Sequence, residues 1–189
     1  HDQLPGIFNR RYFEEEAKRL DVPRNYPLTL LMADVNGLKL VNDAFGHVMG
    51  DELLKGAVAM LKKGCRADDI VARYGGDEFI VLLPNTDERE AEAIIGRIRA
   101  SGRKHRVGLL DVSISFGFDT KHDAAIPLQE IFNQAEDRMY RMKLFESPVI
   151  RKRTIRIILE TLLGRNEREA DHANRVSVLC GRMGEAIGL

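Results

Sequence analysis

The sequence predicts an α+β fold: a ferredoxin-like core of βαββαβ order, extra helices and a helical extension at the C-terminus. Its 189 residues are 44% hydrophobic, which is enough for a core of ordinary globular size. Short apolar runs of strand length alternate with segments whose apolar residues recur at helical spacing. In chain order these segments form the series α-β-αα-β-β-α-β-α, which contains a βαββαβ unit.

The first part of the chain contains a helix, a strand and two further helices. Residues 7–20 carry apolar side chains at helical spacing on one side. Leu28–Val35 is an apolar run without polar alternation, so we expect a strand buried on both faces, with Asp34 at its end. Residues 36–65 hold a short helix, a glycine-containing loop and a longer helix over about residues 50–63.

The second part contains a hairpin, a helix, a strand and a final helix. Residues 69–84 are typical of two strands joined by a turn at Gly75-Gly76. Residues 86–101 have helical spacing, with Thr86 as the expected N-cap. We expect residues 107–118 to form one long strand, and residues 127–145 to form a helix that starts at Pro127.

The C-terminal tail differs from the rest of the chain. It is a near-continuous helical pattern with one break at Gly164-Arg165-Asn166, and its apolar positions require a partner surface. A boundary near Ser147-Pro148 therefore divides the chain into a domain at 1–147 and a helical segment at 148–189.

Composition limits the possible partners and the compartment. The formal net charge of +0 gives no electrostatic reason to expect DNA, RNA or an anionic membrane as a partner. Cys65 and Cys180 lie far apart in the sequence, as expected for free thiols in a reducing, cytoplasmic compartment. No apolar run reaches the roughly 18–20 residues of a membrane span. The chain starts without Met, so it is expected to be part of a longer protein, which could itself be membrane-attached.

Three carboxylates are expected to meet at one end of the sheet. The first and third strands of a βαββαβ sheet are usually central neighbours, which would place Asp34 beside the hairpin that carries Asp77 and Glu78. Mg²⁺ relieves the repulsion of such a cluster and usually adds substrate phosphates to one or two carboxylates. These residues therefore favour a nucleoside triphosphate site, although spacing alone fits a solvated polar hairpin tip equally well.

The segment after Asp34 adds polar groups to this region. Lys39 could face phosphate oxygens as a point charge. Asn42 and Asp51 flank a loop, and an amide with a carboxylate could pair with the adjacent N–H donors of guanine. Helix capping by these two residues is the simpler interpretation of their spacing.

Several motifs in the same order resemble one family. The strings RYGGDEF (73–79) and ADVNGLKLVNDAFGHVMGDELL (33–54) resemble the GGDEF family, the diguanylate cyclases. The opening DQLPGIFNRRYF is similar to the family's D-x-L-T-G-L-x-N-R-R-x-F, and QAEDRMYRMK is similar to its A-D-x-A-L-Y-x-A-K. The resemblance runs from residue 2 to about residue 143.

The resemblance implies a fold related to nucleotidyl cyclase palms, and the conversion of two GTP into cyclic di-GMP and pyrophosphate with Mg²⁺ or Mn²⁺. Each domain would hold one GTP, so the family's reaction requires a homodimer. The resemblance implies that Asp34, Asp77 and the carbonyl of Val35 hold the metal, and that Asn42 and Asp51 contact guanine. Lys39 and Lys143 would contact phosphate, and Gly75 and Gly76 would leave room for it. Glu78 would assist loss of the 3′-hydroxyl proton.

Arg66-Ala67-Asp68-Asp69 matches the family's RxxD inhibitory site, at its usual place before the signature. Arg66 could fork onto a phosphate or guanine of the product, Asp69 could accept from guanine N–H groups, and Arg97 would be a second arm. The alternative is a solvated turn.

Departures from the family pattern put the catalytic rate in question. Asn36 replaces a carboxylate, and Glu146-Ser147-Pro148 stand where the family has G-R-N, so Ser147 replaces a phosphate-binding Arg. The second interpretation is therefore a catalytically weak module that binds GTP or cyclic di-GMP and regulates an attached HD-type phosphodiesterase. A third is a dimerising segment with a vestigial nucleotide site.

The tail has a resemblance of its own. The string HANRV at His172–Val176 resembles the first helix of an HD or HD-GYP domain. A single His cannot hold a metal, so no metal is expected there. The alternative is an amphipathic helix used for dimerisation.

Overall fold

The computed structural model describes residue 2 and residues 4–102, 106–163 and 167–186. Its strands are β1 (Phe8–Asn9), β2 (Leu28–Val35), β3 (Ile70–Gly75), β4 (Glu78–Leu83), β5 (Arg106–Val107), β6 (Leu110–Asp111) and β7 (Ile114–Lys121). Its helices are α1 (Arg10–Leu20), α2 (Leu38–Phe45), α3 (His47–Gly64), α4 (Glu88–Gly102), α5 (Leu128–Leu163) and α6 (Glu167–Ala186), with a short 3₁₀ turn at Pro23–Asn25. The predicted α+β class is confirmed.

A five-stranded sheet in the order β1-β3-β4-β2-β7 organises the domain. Strand β1 runs parallel to β3, and the other neighbouring pairs are antiparallel. The first and third strands of the core, β2 and β4, are neighbours as predicted. This order places the C-terminal end of β2 beside the β3–β4 turn.

Both faces of the sheet are covered, which explains the uninterrupted apolar sequence of β2. Leu31 and Ala33 belong to the core cluster that includes side chains of α3 and α4. Leu30 and Met32 face the other way, into the cluster that includes side chains of α1 and α5. Asp34 continues this second set, so its side chain lies on the α1–α5 face of the sheet.

Three helices begin, or are capped, at residues other than those predicted. Residues 8–9 pair with β3, and Asn9 caps α1 by accepting from the backbone N–H of Tyr12. The first residues of α3 are helical from His47. Helix α4 is capped by Asp87 and not by Thr86, because Asp87 Oδ1 accepts from the Glu90 N–H at 2.8 Å and Glu90 Oε2 accepts from the Asp87 N–H at 3.2 Å.

The single long strand predicted at 107–118 is wrong. Gly108 has a φ of +62° and forms a turn between β5 and β6. Strand β7 starts only at Ile114 and continues to Lys121. A positive φ suits glycine and ends a strand, so the chain folds back on itself there.

Helix α5 runs through the predicted boundary at residues 147–148 and contains Pro148. Packing supports the segment beyond the proline, since Ile157 packs against the core cluster of α3 and α4 and Arg153 pairs with Asp111. The division into segments 1–147 and 148–189 is thus not marked by a helix end. The predicted break at residues 164–166 lies outside the described residues.

Within the described ranges, no helix combines the length and hydropathy that crossing a membrane requires.

Candidate active site

The signature hairpin is closed by a bulge and an arginine. The pairing of β3 with β4 shifts between Arg73 and Gly75, so Gly75 lies opposite Glu78 and the turn consists of Gly76 and Asp77. The guanidinium of Arg73 donates to the Gly76 carbonyl from Nε at 3.0 Å and from Nη2 at 2.7 Å. The turn is therefore held from inside the hairpin.

The two signature glycines border open space. Neither has a positive φ, so the backbone itself does not require glycine at either position. A Cβ on Gly76 would meet nothing within 4 Å, and a Cβ on Gly75 would meet only Glu78 Oε2, at 3.7 Å. Glycine at both positions keeps the surface of the turn free for a ligand.

The end of β2 lies beside the hairpin that carries Asp77 and Glu78. Asp34 is directly opposite Glu78 in the pairing of β2 with β4. The backbone N–H of Val35 donates to the Asp77 carbonyl at 3.0 Å, which fastens the end of β2 to the turn. Residues more than forty positions apart in the sequence are thus placed side by side by strand register.

Asp34 is a buried and only partly satisfied carboxylate. Its residue is 2% exposed, its Oδ2 accepts from Lys143 Nζ at 2.7 Å, and its Oδ1 has no hydrogen-bond partner. Burial raises the pKa of Asp34 to about 6, and the charges of Asp77 and Glu78 act in the same direction while Lys143 opposes them. A buried oxygen without a partner is costly unless a ligand supplies one.

A divalent cation fits the chemistry of this corner. Carboxylate and carbonyl oxygens are the donors that Mg²⁺ prefers, and Mg²⁺ commonly uses only one or two carboxylates from the protein. Among the described residues there is no ready cluster of three or more His, Cys, Asp or Glu side chains that could enclose a metal. Water and substrate phosphate would have to complete the coordination of an ion bound at Asp34 and Asp77.

The predicted guanine contacts lie on α2 and α3 and do not cap these helices. The N-cap residues of α2 and α3 are Gly37 and Gly46. Asn42 Oδ1 is buried without a partner beside Gly50, where any Cβ would overlap it. Asp51 and Lys39 are exposed. Neither helix has a side-chain cap at its N-terminus, and Asp51 lies beyond the first turn of α3, so capping does not account for Asn42 and Asp51.

The RxxD segment forms a tight turn beside a hollow of about 310 Å³ that Arg66, Asp69 and Lys62 help to line. Asp69 is buried, and its Oδ2 accepts from the Arg66 backbone N–H at 2.6 Å, so it is not a solvated turn residue. Burial is the main cause that raises the pKa of Asp69, and Arg97 lies near enough to lower it. Arg97 itself donates to the Gly64 carbonyl at 2.9 Å.

Comparison with known proteins identifies the family. The family profile described as "Diguanylate cyclase, GGDEF domain" matches residues 1–146. The chain belongs to the GGDEF family.

Relatives of this GGDEF domain are diguanylate cyclases and related regulators. It is 34% identical to diguanylate cyclase DgcM of Escherichia coli over 76% of this chain and 36% of the relative. It is also 34% identical to the response regulator PleD of Caulobacter vibrioides over 75% of this chain and 33% of the relative. The chain thus spans about a third of the length of these curated relatives.

Solved structures share the fold. A crystal structure of diguanylate cyclase SiaD with its activator SiaC, from Pseudomonas aeruginosa, matches with a TM-score of 0.67, at 32% identity over 76% of this chain and 57% of that chain. The GGDEF domain of PA1120 from the same organism matches with a TM-score of 0.68, at 28% identity over 80% of this chain and 99% of that chain. Family membership and fold are therefore established, and the family's enzymes are nucleotidyltransferases.

Sequence reasoning missed several contacts of this GGDEF domain. Asp2 of the opening motif pairs with Arg73 of the signature hairpin at 3.5 Å, so the two motifs meet. Lys62, which helps to line the RxxD hollow, had no sequence motif that marked it. Lys143, expected to contact phosphate, is paired with Asp34. The side chains of Ser147 and His172 lie outside the described residues.

Proposed function

We propose that this GGDEF domain is a diguanylate cyclase, which condenses two GTP into cyclic di-GMP and pyrophosphate as a homodimer with Mg²⁺ or Mn²⁺. The observation that carries the proposal is the alignment of Asp34 with Glu78, next to Asp77 and beneath the open glycine turn. Strand register produces this arrangement, and a solvated hairpin tip would not require a buried carboxylate.

The divalent cation would be held by Asp34, Asp77 and the carbonyl of Val35, and when bound it supplies positive charge against the reacting phosphates. Lys143 and Lys39 would bind phosphate oxygens, with Lys143 leaving Asp34 as the ligand enters. Gly75 and Gly76 leave room for the triphosphate.

Different residues would contact the guanine ring and the attacking 3′-hydroxyl. Asn42, whose Oδ1 is free of a partner, and Asp51 would pair with the guanine edge. Glu78 would take the proton of the 3′-hydroxyl as that oxygen attacks the α-phosphate and pyrophosphate leaves.

Cyclic di-GMP would bind in the hollow beside Arg66 and inhibit the enzyme, with Asp69 and Arg97 as further contacts. The Arg66 side chain is exposed and its only described ion pair is a 3.5 Å contact with Glu90, so it can turn to a ligand at little cost. Arg66→Ala should relieve product inhibition in a progress-curve assay, and unchanged inhibition would contradict the assignment.

The experiment that tests the main proposal compares the wild type with Asp77→Ala in GTP and Mg²⁺. The wild type should form cyclic di-GMP, and Asp77→Ala should form at least about a hundredfold less, because a ligand of the catalytic ion is lost. Asp137→Ala, an exposed acid on α5, is the matched control and should keep wild-type activity. Absence of cyclic di-GMP from the wild type at high protein concentration would reject the enzyme.

A non-catalytic binding module is the second candidate. It is favoured by the Lys143–Asp34 ion pair, which occupies a metal-ligand oxygen, together with Ser147 in place of the family's Arg. The continuous α5 would connect such a module to a downstream HD-type phosphodiesterase. Binding of GTP or cyclic di-GMP by calorimetry without any product would support this candidate over the cyclase.

A further inference from the structure

A hydrogen-bonded network joins α5 to the loop between β2 and α2. It consists of Asn36, Ser113, Ser115 and Glu146, and we call it the Asn36 network. None of these residues is among the predicted ligand contacts. Glu146 and Asn36 both depart from the GGDEF pattern, so the network belongs to this chain's own version of the site.

Strand register places the network next to Asp34. Asp34 is opposite Glu78 on β4 and opposite Ser115 on β7, so the three side chains form a row on one face of the sheet. Asn36 follows two positions after Asp34 and is 7% exposed. Its Nδ2 donates to Ser115 Oγ at 3.0 Å and to Ser113 Oγ at 3.2 Å, while its backbone N–H donates to the Ser113 carbonyl at 2.9 Å.

Glu146 decides the direction of these hydrogen bonds. The Ser115 hydroxyl has one proton and two possible acceptors, Asn36 Oδ1 at 3.1 Å and Glu146 Oε2 at 3.0 Å. A carboxylate is the stronger acceptor, so the proton is donated to Glu146. Ser115 then accepts from Asn36 Nδ2, which orients the Asn36 amide in one direction.

The oriented amide holds the loop that follows Asp34. Asn36 lies between Val35, whose carbonyl is a proposed metal ligand, and Gly37, which has a φ of +78° and caps α2. The Asn36 amide ties this loop to Ser113 and Ser115, so loss of these hydrogen bonds would free the Asn36 backbone, and with it both neighbours, to shift. Polar partners behind metal ligands commonly set ligand geometry and metal affinity.

We propose that Glu146 is a positioning residue, which orients the β2–α2 loop through Ser115 and Asn36 and thereby prepares the site for a divalent cation. The role in cation binding rests on the proposed cyclase function. The role in ordering the loop does not depend on that function and is measured in the metal-free protein.

The simpler role for Glu146 is its ion pair with Arg99, at 3.0 Å. The side chains of this pair are 45% and 25% exposed, and exposed ion pairs contribute little to stability. Arg99→Gln removes the ion pair and keeps the Ser115 hydrogen bond, so it separates the two roles.

The test uses two measurements on the whole chain. Hydrogen exchange of the Val35 and Asn36 amides is followed without metal, since both amides are hydrogen-bonded. Mn²⁺ binding is followed by electron paramagnetic resonance without nucleotide. Glu146→Ala should accelerate exchange of the two amides and weaken Mn²⁺ binding about tenfold. Ser115→Ala should do the same, and the double variant should be no worse than either single variant, because both remove one chain of hydrogen bonds.

Two control variants make the result decisive. Glu146→Gln keeps an oxygen that can accept from Ser115 but loses the charge that makes it the stronger acceptor, so it should show part of the effect of Glu146→Ala. Arg99→Gln keeps the carboxylate and should bind Mn²⁺ within about twofold of the wild type. Equal effects of Glu146→Ala and Arg99→Gln, or additive effects of Glu146→Ala and Ser115→Ala, would overturn the proposal. If Glu146→Ala fails to fold, Glu146→Gln replaces it, and unchanged amide exchange together with unchanged Mn²⁺ affinity in that variant would overturn the proposal.

The two measurements distinguish failure of the proposed metal site from failure of the positioning role. Unchanged Mn²⁺ affinity in Asp77→Ala would reject the metal site. Loop exchange in Glu146→Ala would still be faster if the network orders the loop, and unchanged exchange would reject the positioning role by itself.

Discussion

At the residue scale, Asp34 shows a conflict between stability and the proposed chemistry. A carboxylate in this position is removed from water, lacks a partner at Oδ1 and lies near two other acids. Its raised pKa means that the folded protein binds a proton more tightly than the unfolded chain. Lys143 reduces this cost with one ion pair and leaves the other oxygen available.

The pH dependence of stability should reveal this conflict. Folded Asp34 keeps its proton up to about pH 6, while unfolded Asp releases it near pH 4, so stability decreases as pH rises through this window. The difference of about two pKa units corresponds to a loss of roughly 3 kcal/mol in the free energy of unfolding above pH 6, relative to a pH below both pKa values. Asp34→Asn removes the titration and should melt about 5 °C above the wild type at pH 7.5 in EDTA, with about half of that difference at pH 5. A difference that is the same at both pH values would contradict the raised pKa.

At the element scale, different residues of the signature hairpin serve folding and ligand binding. Arg73, the bulge and the β3–β4 ladder hold the turn without help from the glycine backbone. Gly76 is therefore retained for the space above it.

Gly76→Ala tests this separation. The new Cβ meets nothing within 4 Å, so the melting temperature should stay within the small range typical of surface substitutions. The methyl group should displace the triphosphate and lower cyclase activity by about a hundredfold. Calorimetry and a product assay on the same sample check both halves, and a fully active variant would show that the phosphates lie elsewhere.

Helix α5 owes its position on the sheet to one glycine of β7. A Cβ on Gly117 would overlap the backbone N of Met139 and the backbone carbonyl of Ala135. Because backbone atoms cannot rotate away, α5 can lie this close only over glycine.

Gly117→Ala should therefore lower the free energy of unfolding in urea by about 3 kcal/mol, through overpacking. Gly96→Ala is the matched control, since Gly96 lies on the exposed side of α4 and a Cβ there meets nothing within 4 Å. It should raise stability by about 0.5–1 kcal/mol, the usual gain of alanine over glycine in a helix. Equal effects of the two substitutions would contradict the close approach of α5.

At the scale of the whole molecule, the proposed reaction needs two copies. Each domain offers one row of carboxylates, whereas the product contains two guanosine units, so each catalytic event would require two facing sites.

Cyclase activity should consequently depend on protein concentration. At low concentration the rate should rise with about the square of the concentration, because the fraction of paired domains rises with concentration. Excess Asp77→Ala protein should reduce the activity of a fixed amount of wild type by forming unproductive pairs. A rate that stays proportional to concentration over the whole range would show that one copy suffices.

Local patterns in the sequence were sufficient to predict where the candidate site residues lie. Strand order predicted that Asp34 lies beside the hairpin that carries Asp77 and Glu78, and the β2–β4 register confirms this position by pairing Asp34 with Glu78. The role of each residue in ligand binding remains a prediction, because it depends on a ligand and not on the fold.

The sequence by itself determined the fold class and the set of candidate site residues, because hydrophobic periodicity and motif order are properties of short segments. Tertiary structure alone decided three features: the Lys143–Asp34 ion pair, the Glu146–Ser115–Asn36 connection and the continuation of α5 past Pro148. Each of these depends on a helix lying on distant strands or on a distant core cluster. Contacts between segments so far apart follow from the packing of α5 on the sheet and not from the pattern of neighbouring residues.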